Sequence, residues 1–248
     1  VPLFGYNLFQ VTRFGSSTDQ PLDKDYVLGV GDEIDVRIWG SVDFAARLVV
    51  DRNGQLSLPR VGPVNVSGLK HSELEPALFK SVSRLFNQFE LSASVSRVRT
   101  IQIYVVGQAR RPGAYMVSGA NNIISSLFES GGPTSSGSMR QINLVRSGAV
   151  VAQIDLYDFI FKGSTPKDLR IESGDVIVIP PSGPRVALLG AVDQPAIYEL
   201  KSKTEPLSNL IQFAGGLQAL SATHKALIER IDNQAYPQPP RMVLERSL

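Results

Sequence analysis

The side chains that do most enzyme chemistry are sparse in this sequence. There is no cysteine, so disulfides, thiolate metal ligands and cysteine nucleophiles are excluded, while either redox compartment remains open. The two histidines, His71 and His224, lie far apart, which removes a three-histidine metal site and weakens any histidine-based triad. His71 stands among Lys70, Ser72 and Glu73, and His224 follows Ser221-Ala222-Thr223. Neither has an orienting partner in sequence, so both read as exposed polar residues. Asp32, Glu33 and Asp35 offer carboxylates for acid–base or metal chemistry. The alternation that follows places Asp35 on the polar face of a strand, and no second cluster converges on it, so these acids read as a solvated face. Gly29-Val30-Gly31 lacks the third glycine of a dinucleotide loop and leads into a strand, so it reads as a turn. No catalytic residue, metal ligand or cofactor-binding residue is assigned.

The elements that would position a site are short and β-rich. The 248 residues, of 27.0 kDa, suffice for two domains or three small ones. Lys and Arg total 25 and Asp and Glu 23, a net charge of +2 that does not point to nucleic acid. At 43% hydrophobic and 19% charged residues the chain can fill a core, and 21 Gly with 16 Pro imply many turns. The longest apolar run, Val186–Val192, cannot span a bilayer as a helix. The chain opens Val-Pro without the charged and apolar regions of a leader, so any export signal is expected outside this segment.

Residues 1–24 read as an extended arm with an apolar anchor, Phe4-Gly5-Tyr6 and Phe9, then a polar linker from Ser16 to Pro21. Ile34-Asp35-Val36-Arg37-Ile38-Trp39 alternates as a half-buried strand does. Asp51-Arg52-Asn53-Gly54 between Arg47–Val50 and Leu56–Leu58 predicts a hairpin with φ > 0 at both central residues. Ser72-Glu73-Leu74-Glu75 offers a capping box, and Leu74, Leu78, Val82 and Leu85 continue at helical spacing, with Pro76 near the start. Leu91, Ala93 and Val95 alternate as another strand.

The rest of the chain is an internal repeat. Gly107 and Gly190 are offset by 83, as are Pro112 and Pro195, and Tyr115 and Tyr198. Ile124–Phe128 and Leu207–Ile211 follow as helical stretches, each ending at a glycine pair, Gly131-Gly132 and Gly215-Gly216, now offset by 84. Leu144-Val145-Arg146 and Ile228-Glu229-Arg230 keep that offset. Each copy therefore reads strand, proline turn, strand, helix, glycine stop, strand, the glycine pair suiting a left-handed helix cap. The first copy finishes with Asp155-Leu156 and Gly174-Asp175-Val176-Ile177-Val178-Ile179, and Gly174 lies 28 residues beyond Arg146. Only 18 residues follow Arg230, so the second copy is expected to be incomplete and the chain a fragment of a longer protein.

These features resemble the outer-membrane polysaccharide export family, the Wza-like exporters. Tyr26–Ile34 with Trp39-Gly40 is similar to the opening of the polysaccharide export sequence domain. Asp51–Pro59 with Val61-Gly62 resembles its central hairpin, and Val66–Leu69 with Glu73-Leu74 the start of its helix. The repeats resemble SLBB domains, a β-grasp variant: Gly107, Pro112-Gly113, Tyr115, Gly131-Gly132 and Gly174-Asp175 carry the first match, and Gly190, Pro195, Tyr198 and Gly215-Gly216 the second, which has Ala196 where the first has glycine. The implied architecture is a β-rich, multi-domain α+β chain. It comprises an arm and linker over 1–24, an export domain over 25–100, one SLBB domain over 101–184 and a second, incomplete one over 185–248.

The resemblance implies a non-catalytic role in a subunit ring, a homo-oligomer that encloses a channel for capsular or exopolysaccharide in the periplasm of a Gram-negative bacterium. An outer-membrane anchor and an inner-membrane polysaccharide co-polymerase would complete the path, with no cofactor and no nucleic acid. Arg110-Arg111 at the proline turn are weak candidates for an anionic glycan, and Asp193-Gln194 in the second copy shows that the fold does not require them. Trp39, Tyr104, Tyr115 and Tyr198 could stack on sugar rings. The repeated Tyr115 and Tyr198 read rather as packing residues of each core, and Trp39 as a core or subunit contact. Two other classes stay open. An SLBB binding module for a soluble glycan or other ligand would bind saturably, and its DNA-uptake version would show steep salt dependence. A glycan hydrolase would need two carboxylates across a cleft.

Overall fold

Alternation of apolar and polar residues governs the strands seen in the computed structural model, which describes residues 1–10, 21–163, 170–218, 225–231 and 241–247. The chain is mixed α+β and divides into two compact units, Gly5–Gly183 and Val1–Phe4 with Pro184–Leu248.

In the larger unit, β1 (Glu33–Gly40) turns Ile34, Val36 and Ile38 into a core and leaves Arg37 and Trp39 outside. β2 (Phe44–Val49) pairs with it antiparallel. β3 (Gln55–Leu58) and β4 (Gly62–Asn65) form a separate antiparallel pair. After α1 (His71–Val82), β5 (Phe89–Arg97) takes the other side of β1, giving the order β2-β1-β5. Leu74, Leu78 and Val82 of α1 join Ile34, Val36, Ile38, Leu56 and Leu91 in one apolar cluster.

Two local expectations change. The Asn53-Gly54 segment is a corner, not a hairpin. Asp51 accepts the Asn53 and Gln55 amides at 2.9 Å, and only Gly54 has positive φ. Val50 instead exchanges backbone bonds with Gly31 and Asp32, which holds the end of β2 against β1 while β3 departs to pair with β4. The cap of α1 lies two residues earlier than Ser72: Glu73 accepts the Lys70 amide at 2.9 Å. α1 ends at Val82, so Leu85 falls beyond the helix and is exposed.

The first repeat runs β6 (Thr100–Gly107), β7 (Gly113–Ser118), α2 (Ile123–Ser130), β8 (Ile142–Arg146), β9 (Ala149–Ile154), α3 (Leu156–Lys162) and β10 (Val176–Ile179). Its sheet has the order β7-β6-β10-β8-β9, with β10 parallel to β6 and every other neighbour antiparallel. α2 starts at Asn122, whose side chain accepts the Ser125 amide, and ends at Gly131 in the left-handed region, as the glycine pair predicted. The arm's aromatic anchor is present on a 3-10 turn, Tyr6–Gln10, rather than on extended chain. Tyr6 donates its hydroxyl to the Gly137 carbonyl at 2.5 Å, and Phe9 lies 4.9 Å from Phe128. Most of the linker, residues 11–20, lies outside the described residues.

The second repeat, in the smaller unit, keeps the predicted order through β11 (Arg185–Leu188), β12 (Ala196–Glu199), α4 (Leu207–Phe213), β13 (Lys225–Ile231) and β14 (Arg241–Ser247). β11 pairs with β12 and β13 with β14, both antiparallel. Ile197 of β12 also bonds to Pro2 and Phe4, and Phe4 stacks on Tyr198 at 4.9 Å. Among the described residues no strand lies beside β11 as β10 lies beside β6.

Candidate functional site

The three neighbouring carboxylates of the opening turn diverge. Asp32 is fully buried, not solvated. It accepts the Tyr26 hydroxyl and the Gly29 amide at 2.8 Å, the Arg99 amide at 2.8 Å and Arg99 Nη1 at 2.9 Å. The Arg99 guanidinium also lies over the Tyr26 ring, 5.6 Å from its centroid. Burial, reinforced by the Asp32 charge, pushes the Tyr26 hydroxyl far above its ordinary pKa, so it stays a hydrogen-bond donor. Glu33 and Asp35 point the other way, to Arg97 at 3.3 Å and Arg47 at 2.9 Å. The Arg47 hydrogen bond holds the Asp35 carboxyl below its usual range, so its stabilising contribution is lost as pH falls through that lowered value. Among the described residues no group of three potential ligands converges on a metal position.

The same turn recurs in the first repeat. Gly31 and Gly174 have φ of +95° and +88°, and each is followed by a buried aspartate. Asp175 accepts the Glu172 amide, three residues back as Gly29 is from Asp32, and takes Arg146 Nε and Nη2 at 2.8 Å each. A Gly-Asp pair before a strand is thus a structural pin, with an arginine distant in sequence as counter-ion: Arg99 follows Asp32, and Arg146 on β8 precedes Asp175. The sequence carries the pairs Gly31-Asp32 and Gly174-Asp175, but nothing local identifies Arg99 and Arg146 as partners.

The other candidates scatter. His71 is half-buried rather than exposed, and its Nδ1 is buried without a partner among the described residues. His224 lies outside the described residues. Arg110 donates to the Pro133 and Tyr6 carbonyls at 3.3 and 3.2 Å, and Arg111 to the Glu129 carbonyl at 2.5 Å. Both brace the proline turn, and both are exposed. Trp39 and Tyr104 are exposed, so Trp39 is not a core residue. Tyr115 and Tyr198 do the same work in each repeat, reaching back four residues to the Arg111 carbonyl at 2.5 Å and the Gln194 carbonyl at 2.7 Å. Tyr198 is fully buried and Tyr115 only partly so. Tyr198→Phe is expected to cost about 1 kcal/mol, the worth of one internal hydrogen bond. A urea titration checks this, and an unchanged midpoint would show that the bond closing the turn is dispensable.

Two surfaces remain. One is a shallow pocket of about 220 Å³ lined by Ile38, Phe44, Val61, Val82 and Phe86, with Asp43 and Arg60 among its lining residues. The other is the outer face of β2-β1-β5. It presents Asp35, Arg37 and Trp39 from β1, Arg47 from β2, and Glu90, Ser92, Ser94 and Ser96 from β5. The register sets Trp39 beside Glu90, Arg37 beside Ser92 and Asp35 beside Ser94. This face was not singled out by sequence; the signal was the serine at every second position of Leu91–Ser96.

The architecture is a domain with a pinned opening turn, followed by repeats built on a proline turn and a glycine stop. The polysaccharide biosynthesis/export protein family matches residues 20–96, and the SLBB domain matches residues 102–155 and 185–236. The chain thus carries a polysaccharide export domain and two SLBB domains, and it is similar to Wza-like polysaccharide export proteins. It is 29% identical over 214 residues to the polysialic acid transport protein KpsD of Escherichia coli, covering 86% of this chain and 38% of that protein. It is 23% identical over 241 residues to the EPS I polysaccharide export outer membrane protein EpsA of Ralstonia solanacearum, covering 86% of this chain and 64% of the relative. The capsule polysaccharide export protein BexD of Haemophilus influenzae is 21% identical over 234 residues, covering 86% and 58%. The chain thus spans less than two thirds of the length of each of these relatives.

Proposed function

We propose that this chain is the periplasmic part of an outer-membrane polysaccharide exporter. It assembles into an oligomeric conduit for capsular or exopolysaccharide above an inner-membrane co-polymerase and does no chemistry on its cargo. The relatives named for polysialic acid, EPS I and capsule export support the cargo class. The observation that carries the reading is the outer face of β2-β1-β5. A moving glycan needs many weak contacts and no strong one. Serine hydroxyls offer exchangeable hydrogen bonds, the acids Glu33 and Asp35 are already neutralised by Arg97 and Arg47, and one indole offers a stacking platform. Arg110 and Arg111 are secondary candidates for an anionic chain, both exposed beside the proline turn.

The experiment is deletion of the full-length gene and location of the surface polysaccharide. Loss of cell-surface polymer with polymer retained inside the envelope is the expected result. Unchanged surface polymer, with no second exporter present, overturns the reading. Complementation with Trp39→Ala sharpens it. Trp39 is 44% exposed, so the protein's stability is expected to change by no more than about 0.5 kcal/mol. Losing a stacking contact of about 1 kcal/mol should weaken glycan binding at this face by about fivefold and lower the yield of surface polymer. Full export by Trp39→Ala would remove this face from the glycan's path.

A further inference from the structure

We propose that the two edges of the first SLBB sheet are a matched pair of subunit-docking strands, β9 of one copy adding antiparallel to β7 of the next. This deepens the conduit reading and rests on it. β7 and β9 are the outermost strands of β7-β6-β10-β8-β9, and each is six residues long. Among the described residues neither outer edge meets another strand.

An open edge is a template for another chain, and proteins that stay monomeric blunt such edges with charge or proline. Neither Gly113–Ser118 nor Ala149–Ile154 contains a charged residue or a proline. Apolar side chains stand exposed on both strands: Met116 is 65% exposed and Val150 is 62% exposed. The edge strands of β2-β1-β5 are blunted in this way. β2 carries Arg47 and β5 carries Glu90 and Arg97, and in the second repeat the counterpart of β7 is bonded to Pro2 and Phe4.

Strand direction decides the geometry. β7 is antiparallel to β6, β10 is parallel to β6, β8 reverses, and β9 reverses again. β9 therefore runs opposite to β7. A second copy placed beside the first by rotation about an axis along the strands brings its β7 antiparallel to β9, the pairing with perpendicular hydrogen bonds. The contact joins two different edges, so each added copy exposes the same free edge again, and a closed rotation yields a ring.

The segment has no cysteine, so the introduced thiols are the only ones within it. In full-length protein, Met116→Cys with Val150→Cys, treated with a short bismaleimide, should give a ladder of covalent species beyond the dimer, which neither single variant gives. Val150→Lys should weaken assembly by at least about tenfold in mass photometry while the thermal midpoint of the dissociated protein is unchanged. An oligomeric wild type whose double variant gives no ladder, or a Val150→Lys protein that assembles as tightly as wild type, overturns the edge proposal and leaves the conduit standing. A wild type that is monomeric in the envelope, with surface polymer intact in the deletion strain, overturns both.

Discussion

Asp32→Ala should lower the unfolding free energy of the larger unit by about 3 kcal/mol, the low end of what breaking a buried ion pair costs. The loss has two parts. Arg99 loses its counter-ion, but its side chain is 24% exposed, so water recovers some of that. The Tyr26 hydroxyl and the Gly29 amide lose their acceptor in the core, where an unmet donor costs about 1–3 kcal/mol. Asp32→Asn keeps the volume and one acceptor but removes the charge, and should cost less than alanine. Asp35→Ala, three residues on, breaks only a surface pair to Arg47 and should cost no more than about 1 kcal/mol. Urea titration followed by tryptophan emission reads this locally, because Trp39 is the single tryptophan and sits on β1, whose preceding turn holds Asp32. Equal shifts for Asp32→Ala and Asp35→Ala would show that the buried carboxylate does not pin the turn.

That contrast also marks what sequence can show. Alternation and spacing are local, so the burial of Ile34, Val36 and Ile38 and the two-fold repeat were legible without coordinates. The burial of Asp32 was not, because its cause is Arg99, 67 positions away. The Asn53-Gly54 corner failed as a hairpin for a similar reason: the turn residues were read correctly, but the backbone bonds of Val50 to Gly31 and Asp32 decide which sheet each flank joins. α3 escaped notice because seven residues rich in aromatics carry weak helical propensity; the signals present were Asp155 as N-cap and Gly163 as a left-handed stop. The outer face that carries the functional reading consists of residues that do nothing conspicuous one at a time, and only the β1–β5 register assembles them.

The repeat makes a second large effect testable, because one position occurs in two surroundings. Gly107 ends β6 and Gly190 lies two residues beyond β11, each before the proline turn with positive φ, +82° and +98°. A side chain there carries the left-handed penalty, about 1–2 kcal/mol, in either copy. Gly107 bears a further load. A Cβ would lie 2.2 Å from the Ile179 carbonyl oxygen, in the parallel pairing of β6 with β10. That oxygen accepts the Gln108 amide, so it cannot withdraw without losing a ladder bond. At Gly190 no described atom lies within 4 Å of the added carbon, in keeping with the lack of a described strand beside β11. Gly190→Ala should therefore cost only the backbone penalty, while Gly107→Ala should cost about 4 kcal/mol, at the rare end of single substitutions. Urea midpoints of the two variants, measured in the same protein, compare them directly. A gap of several kcal/mol would show that the close strand crossing, and not the turn alone, demands glycine in the first repeat. Equal costs would mean that β10 can shift away from β6, and that the parallel pair at the centre of the first SLBB sheet is not rigid.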